Sequence, residues 1–154
     1  MSTPFSASVT PTVGTAPYIA GDSVGDILKF PLGFLLNGGY ANLDSLVITD
    51  KSKTHPALFV EFFKSSPSGG TYTDSSPLVY GSGDHAKKLK LCSILATDWV
   101  DLPRVSATTS TVDIGDLNKS FATSDPNVYM LIHADAGFSL TAGDLIVTIS
   151  GTTG

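Results

Sequence analysis

Along this chain the apolar residues come in short runs that alternate with polar positions, and no window of twelve residues carries a stripe of period 3.6. Each run is rich in β-branched and aromatic side chains and is closed by glycine, proline or aspartate, the pattern of strands and turns. Residues 25–31 predict a first such strand, with Leu28 and Phe30 on one face and Ile27 and Lys29 on the other. Residues 46–49 predict a second and residues 57–63 a third, with the turn 50–56 between them suggesting a hairpin. In the third run Leu58, Val60 and Phe62 share one face, and Phe59, Glu61 and Phe63 share the other. Further strands are expected at 78–80, 88–97, 105–113, 128–133 and 144–150. About eight strands without intervening helices predict an antiparallel β-sandwich, jelly-roll-like at this count, with an immunoglobulin-like sandwich as the alternative.

Composition supports that reading. Thirteen of the fourteen acidic residues are aspartate, Glu61 being the only glutamate, so the residues that fill exposed helix faces are scarce. A chain of 154 residues is one domain in size. Within it, residues 1–20 stand apart: they hold three prolines and no charge. They are expected to form an extended N-terminal arm, either frayed or ordered on a neighbouring subunit, ahead of a sandwich domain at 21–154.

The formal net charge is −5, Arg104 is the only arginine and the eight lysines are scattered, which argues against a nucleic-acid partner. The first ten residues lack the basic and apolar blocks of a secretory signal, and no apolar run approaches the roughly 18–20 residues of a membrane span. A soluble protein with no membrane partner is expected. Cys92 has no second cysteine to pair with, and Asn118-Lys-Ser matches a glycosylation acceptor only as a chance triplet.

Few residues suggest chemistry. His55, His85 and His133 stand at no recurrent metal spacing, so His133 reads as a core or interface histidine and the other two as solvated loop residues. Gly81-Ser-Gly-Asp-His85 gathers serine, aspartate and histidine, yet no helix pattern follows it and neighbouring turn residues point apart, so it reads as a turn. The pairs Asp22/Asp26 and Asp113/Asp116 sit beside glycine and read as turn chemistry rather than a calcium loop. No catalytic, metal or cofactor site is assigned, and a non-enzymatic protein is expected. Tyr72, Tyr80 and Trp99 would be the aromatic platform if the chain bound a glycan. The candidate partner interface comprises Phe5, Val9, Val13 and Tyr18 of the arm, with Phe34, Leu35 and Tyr40 around Asn37-Gly-Gly as a hydrophobic lip.

The segments Tyr18-Ile-Ala-Gly-Asp-Ser-Val-Gly, Leu46-Val-Ile-Thr-Asp-Lys-Ser-Lys, Ala57-Leu-Phe-Val-Glu-Phe-Phe and Leu145-Ile-Val-Thr-Ile together resemble a group of small β-rich virion proteins of tailed bacteriophages, across residues 18–150. A later run from Tyr129 to Ile132 belongs to the same pattern. The resemblance implies a structural role on the virion, as a decoration or cement protein bound to the major capsid protein on the capsid surface, made in the host cytoplasm. A homotrimer is the favoured oligomer, since closed symmetry limits runaway association. The alternative is a tail or baseplate module that binds carbohydrate or a receptor.

Overall fold

The computed structural model describes residues 3–32, 39–102, 109–122 and 125–154. In chain order its strands are β1 (Thr3–Val9), β2 (Leu28–Pro31), β3 (Tyr40–Asp50), β4 (Leu58–Phe63), β5 (Lys88–Ile94), β6 (Val100–Asp101), β7 (Ser110–Ile114), β8 (Lys119–Ala122), β9 (Asn127–Ala134) and β10 (Leu145–Thr153). One sheet runs β1-β10-β3-β7-β6, with β8 also on β3, and the other runs β2-β9-β4-β5. All pairings between the strands are antiparallel.

The order of pairing identifies the fold. Strand β1 pairs with β10, β2 with β9, β3 with β7 and β4 with β5, so the first half of the chain runs back along the second half. That nested hairpin, rolled so that its successive strand pairs alternate between two sheets, is a jelly roll. The sequence-based expectation of an antiparallel sandwich of this type holds, but residues 78–80, expected as a strand, form only an isolated bridge of Val79 with Thr71, and β1, β6 and β8 are not among the expected strands.

Between the sheets, alternate residues interdigitate: Leu28 and Phe30 of β2, Leu46 and Ile48 of β3, Leu58, Val60 and Phe62 of β4, Met130 and Ile132 of β9, Val147 and Ile149 of β10 are all buried. Each large apolar side chain removed from water contributes about 1.5–3 kcal/mol, so this seam is the main source of stability. The indole of Trp99 closes one end and donates to the Pro56 carbonyl at 2.8 Å.

Two further expectations are corrected. Strands β3 and β4 do not form a hairpin, because they belong to different sheets. The connection between them crosses the sandwich, and buried Asp50 shapes it by accepting from the backbone of Ser52 (2.9 Å), Thr54 (2.6 Å) and His55 (3.2 Å). Lys53 and His55 take up positive φ values of 56° and 52° in that crossing. Strand β4 carries apolar residues on both faces, which suits its central place between β9 and β5 and not an outer hairpin arm.

The second correction concerns residues 1–20. Strand β1 lies against β10 of its own chain from Thr3↔Thr153 to Val9↔Val147, as the first strand of the jelly roll. Tyr18 is buried, exchanges backbone hydrogen bonds with Phe138 and packs its ring 5.2 Å from that phenyl. Residue 20 therefore does not divide an arm from a sandwich. The alternation of Phe5, Ala7 and Val9, each packed against the core, is strand periodicity in a segment whose lack of charge had suggested an arm.

Candidate functional site

The sandwich has two outer faces, one on each sheet. The face of β2-β9-β4-β5 is covered by the segment 64–84, and aromatic hydroxyls paired with carboxylates fasten it there. Tyr80 donates to Glu61 and Tyr18 donates to Asp74 at 2.7 Å, while Tyr72 donates to Asp84 at 2.5 Å and holds the segment to itself. Asp84 also accepts from the backbone N–H groups of Ser68 and Gly69 and from Lys87. Asp74 accepts from the N–H groups of Gly14 (2.9 Å) and Gly25 (2.6 Å), so it ties the covering segment to the chain before β2. Gly69, Gly70 and Gly81 let two backbones touch: a methyl group on Gly70 would overlap the Val79 carbonyl, and one on Gly81 would overlap Gly69.

Under this cover Phe63 and Leu131 are fully buried with Tyr72 against them, and Glu61 beside them is 6% exposed. The sequence placed Glu61 on the side opposite the main seam, and the structure does the same; what buries it is the covering segment. Lys88 approaches its carboxylate at 3.4 Å while lying 3.9 Å over the Tyr80 ring. The buried His133 Nε2 stands 3.5 Å from Glu61 Oε1 without a hydrogen bond, and its ring stacks on Phe59 at 5.0 Å. Burial pushes the Glu61 carboxyl up, but His133, the Tyr80 hydroxyl and Lys88 outweigh it and hold the group below the usual carboxylate range. Lys87 and the Tyr72 hydroxyl hold Asp84 well below that range, and Lys53 and His55 lower Asp101. The chemistry available here is that of a fastening: the glutamate is engaged by three neighbours and lies beneath a loop.

This arrangement sets a pH limit. As pH falls, unfolded carboxyls take up protons near pH 4 while Glu61, Asp84 and Asp101 in the fold resist, so the unfolded state binds more protons. Their stabilisation is complete above about pH 4 and is lost as pH drops through their lowered values. The melting temperature is expected to fall steeply below about pH 4, and the Asp84→Asn variant should show a shallower acid slope. An unchanged slope in that variant would remove Asp84 from the account.

The residues that sequence reading singled out are dispersed. Val13 and Tyr18 are buried in the chain's own core and so are not available to a partner, because the segment before β2 turns back across the sandwich. Phe5 and Val9 point inward from β1 and are half-buried. Phe34 and Leu35 lie outside the described residues. Of the described members of the set, Tyr40 alone is prominently exposed, at 63%. Tyr72 and Trp99 are buried in separate clusters, so with Tyr80 they do not form a common platform. His55 is not simply solvated: its Nε2 lies 2.7 Å from Asp101. Asp22 accepts from the Ile19 N–H at 3.0 Å, which is turn chemistry, whereas Asp26 accepts from the Asp74 N–H at 2.8 Å and so ties its segment to one 48 positions away. Among the described residues no three metal-ligating side chains gather.

The face that sequence reading missed is the outer side of the first sheet. Period two along β10 turns Ile146, Thr148, Ser150 and Thr152 outward, and the strand register sets them in rows with their neighbours. One row runs Pro4, Thr152, Asn42, Ser120; the next runs Ser6, Ser150, Ser45; a third runs Ser8, Thr148, Val47, Asp113. Hydroxyls bond along these rows, Ser8 to Thr148 at 2.7 Å, Ser45 to Ser150, and Ser120 to Asn42 at 2.9 Å. Asp44, tied to Asn42, and Asp113 supply the charge there, and no lysine of the described strands faces outward among them. Beside Tyr40 a shallow depression of about 340 Å³ is lined by Asn42, Ser120 and Thr152. The signal was legible as alternate Ser and Thr in residues 6–8 and 148–152, but assembling three strands into one face required their register.

No family model matches the sequence, and no curated protein matches it either. Among solved structures, the chain is similar to a Turnip yellow mosaic virus chain, with a TM-score of 0.34, 14% identity, and coverage of 99% of this chain and 78% of that one. It is similar to a Mud Crab Dicistrovirus chain, with a TM-score of 0.32, 12% identity, and coverage of 98% and 67%. It is also similar to the insecticidal delta-endotoxin Cry8Ea1 of Bacillus thuringiensis, with a TM-score of 0.35, 7% identity and coverage of 89%, while spanning only 18% of that chain. These likenesses are too slight to transfer a residue or a role, and the jelly-roll assignment rests on the strand order itself.

Proposed function

We propose that this chain is a non-enzymatic structural protein of a bacteriophage virion, a decoration or cement protein that docks on the major capsid protein of the assembled head. The observation that carries the reading is the outer face of the first sheet, a nearly uncharged field of short hydroxyl and amide side chains already bonded in rows. Such side chains have little rotamer freedom to lose, so a flat contact there costs less ordering entropy than one built from lysine or glutamate. The sequence resemblance to virion proteins over residues 18–150 points to the same class of partner. Modest contacts repeated over a symmetric shell raise effective concentration, which lets each one be weak.

The test is cryo-electron microscopy of heads with and without the chain, alongside a Thr148→Lys/Ser150→Lys variant that places charge at the middle of the face. Density on the capsid exterior that disappears with the variant, while its circular dichroism is unchanged, is the expected result. Density on the tail only, or undiminished head occupancy by the variant, would overturn the assignment.

A further inference from the structure

A sheet edge is a row of unpaired N–H and C=O groups, and proteins blunt such edges by shortening them, charging them or covering them. Four of the edges here are treated so. Strand β6 is two residues long and carries Asp101, β8 is four residues long and carries Lys119, β2 is four residues long with Lys29 and Pro31, and β5 carries Lys88 and Lys90. Strand β1 is blunted only by Pro4, near its start. It is seven residues long, has no charged side chain, and pairs among the described residues only with β10. Along its free side runs a groove of about 550 Å³ lined by Thr3 to Ser8 with Pro31, Leu32 and Thr153.

We infer that this edge accepts β1 of a second copy of the chain, antiparallel and centred on Ser6, so that two first sheets join into one continuous sheet across a twofold axis. The sequence Thr-Pro-Phe-Ser-Ala-Ser-Val is complementary to itself in that register. Phe5 meets Ala7 of the second copy on the inward side, a large side chain beside a small one, and each half-exposed ring gains cover. On the outward side Ser6 meets Ser6 of the second copy, and the row Ser45, Ser150, Ser6 continues unbroken into its twofold mate. No like charges are brought together, since residues 1–20 carry none. Tyr40 and Gly154 exchange hydrogen bonds, so by alternation Phe5 and Ala7 bond β10 while Pro4, Ser6 and Ser8 face the free edge. Ser6 pairs with Ser6 of the second copy, the Ser8 N–H donates to the Pro4 carbonyl of the second copy, and the N–H that Pro4 lacks costs only the outermost bonds. The contact is isologous and closes on itself, so it yields a dimer and not a fibre.

The contact needs no capsid and is tested without one. Light scattering on the purified chain should give the mass of two copies, and Ser6→Lys, which sets two ammonium groups face to face, should return it to one with the same circular dichroism. Directly opposed residues in an antiparallel pair lie about 4.5–5.5 Å apart, within reach of a disulfide, so Ser6→Cys should crosslink to a covalent dimer under mild oxidation. Ser93→Cys on the β5 edge should not, and native Cys92 is buried. A wild-type mass of one copy, a dimer that survives Ser6→Lys, a trimer, or crosslinking at Ser93 in place of Ser6 would each overturn the inference. Loss of head binding with an intact dimer would count against the proposed function alone.

Discussion

Replacing Phe62 with alanine is expected to lower the unfolding free energy by about 3–5 kcal/mol, the largest effect of any single truncation considered for this chain. Phe62 is fully buried at the centre of the sandwich, on a strand with neighbours on both sides: Met130 lies opposite it on β9 and Lys90 on β5. Truncation removes the transfer energy of the ring and leaves a cavity that two hydrogen-bonded sheets cannot collapse to fill. Whole domains are stable by only about 5–15 kcal/mol, so the variant should unfold at markedly lower urea concentration with an unchanged denaturant slope. A shift of a few tenths of a kcal/mol, well under the range for buried aromatics, would mean that Phe62 does not sit in a rigid seam. Phe59→Ala, on the same strand but partly exposed on the opposite face, supplies the comparison and should cost less.

The second large effect is expected at Glu61. Glu61→Ala removes the acceptor of the Tyr80 hydroxyl and the counter-charge of Lys88, and leaves His133 beside an empty space. Stranding buried donors costs about 1–3 kcal/mol. Lys88 is about one-third exposed and can turn to water, which places the effect within that range and not above it. The loss should be local. Amide exchange is expected to rise in 64–84 while β9 and β10 stay protected, since the cover is attached through Glu61 and Asp74 and the seam is not. Glu61→Gln, which keeps an acceptor for Tyr80 and loses only the charge, should recover part of the stability. Uniform loosening of both sheets would show that Glu61 supports the core directly.

These two residues show how far the sequence could be read. In residues 57–63 the alternation correctly put Leu58, Val60 and Phe62 on one face, because side-chain direction along a strand follows from backbone geometry alone. The same alternation could not say what lies over Glu61. That depended on Tyr80, Lys88 and His133, which are 19, 27 and 72 positions away and meet only when β4, β5 and β9 assemble beneath the covering segment. The first strand was missed for a related reason. A charge-free stretch with three prolines looks the same whether it is an arm or an edge strand, and only the pairing of β1 with β10 separates the two. The hairpin expected between β3 and β4 erred because turn residues at 50–56 mark a reversal without indicating whether it returns to the same sheet.

What the sequence determined by itself was local: short period-two strands, polar turns, and enough apolar positions for one seam, all set by the pleat and by the turn chemistry of glycine, proline and aspartate. The tertiary structure alone decided the nesting of β1 with β10 and β4 with β5, the burial of Glu61, and the gathering of serines from β1, β3 and β10 into one face. Those outcomes depend on contacts between residues distant in the chain, from Glu61 with Tyr80, 19 positions apart, to Ser45 with Ser150 and Ser8 with Thr148, more than a hundred apart, and local backbone preference carries no information about them.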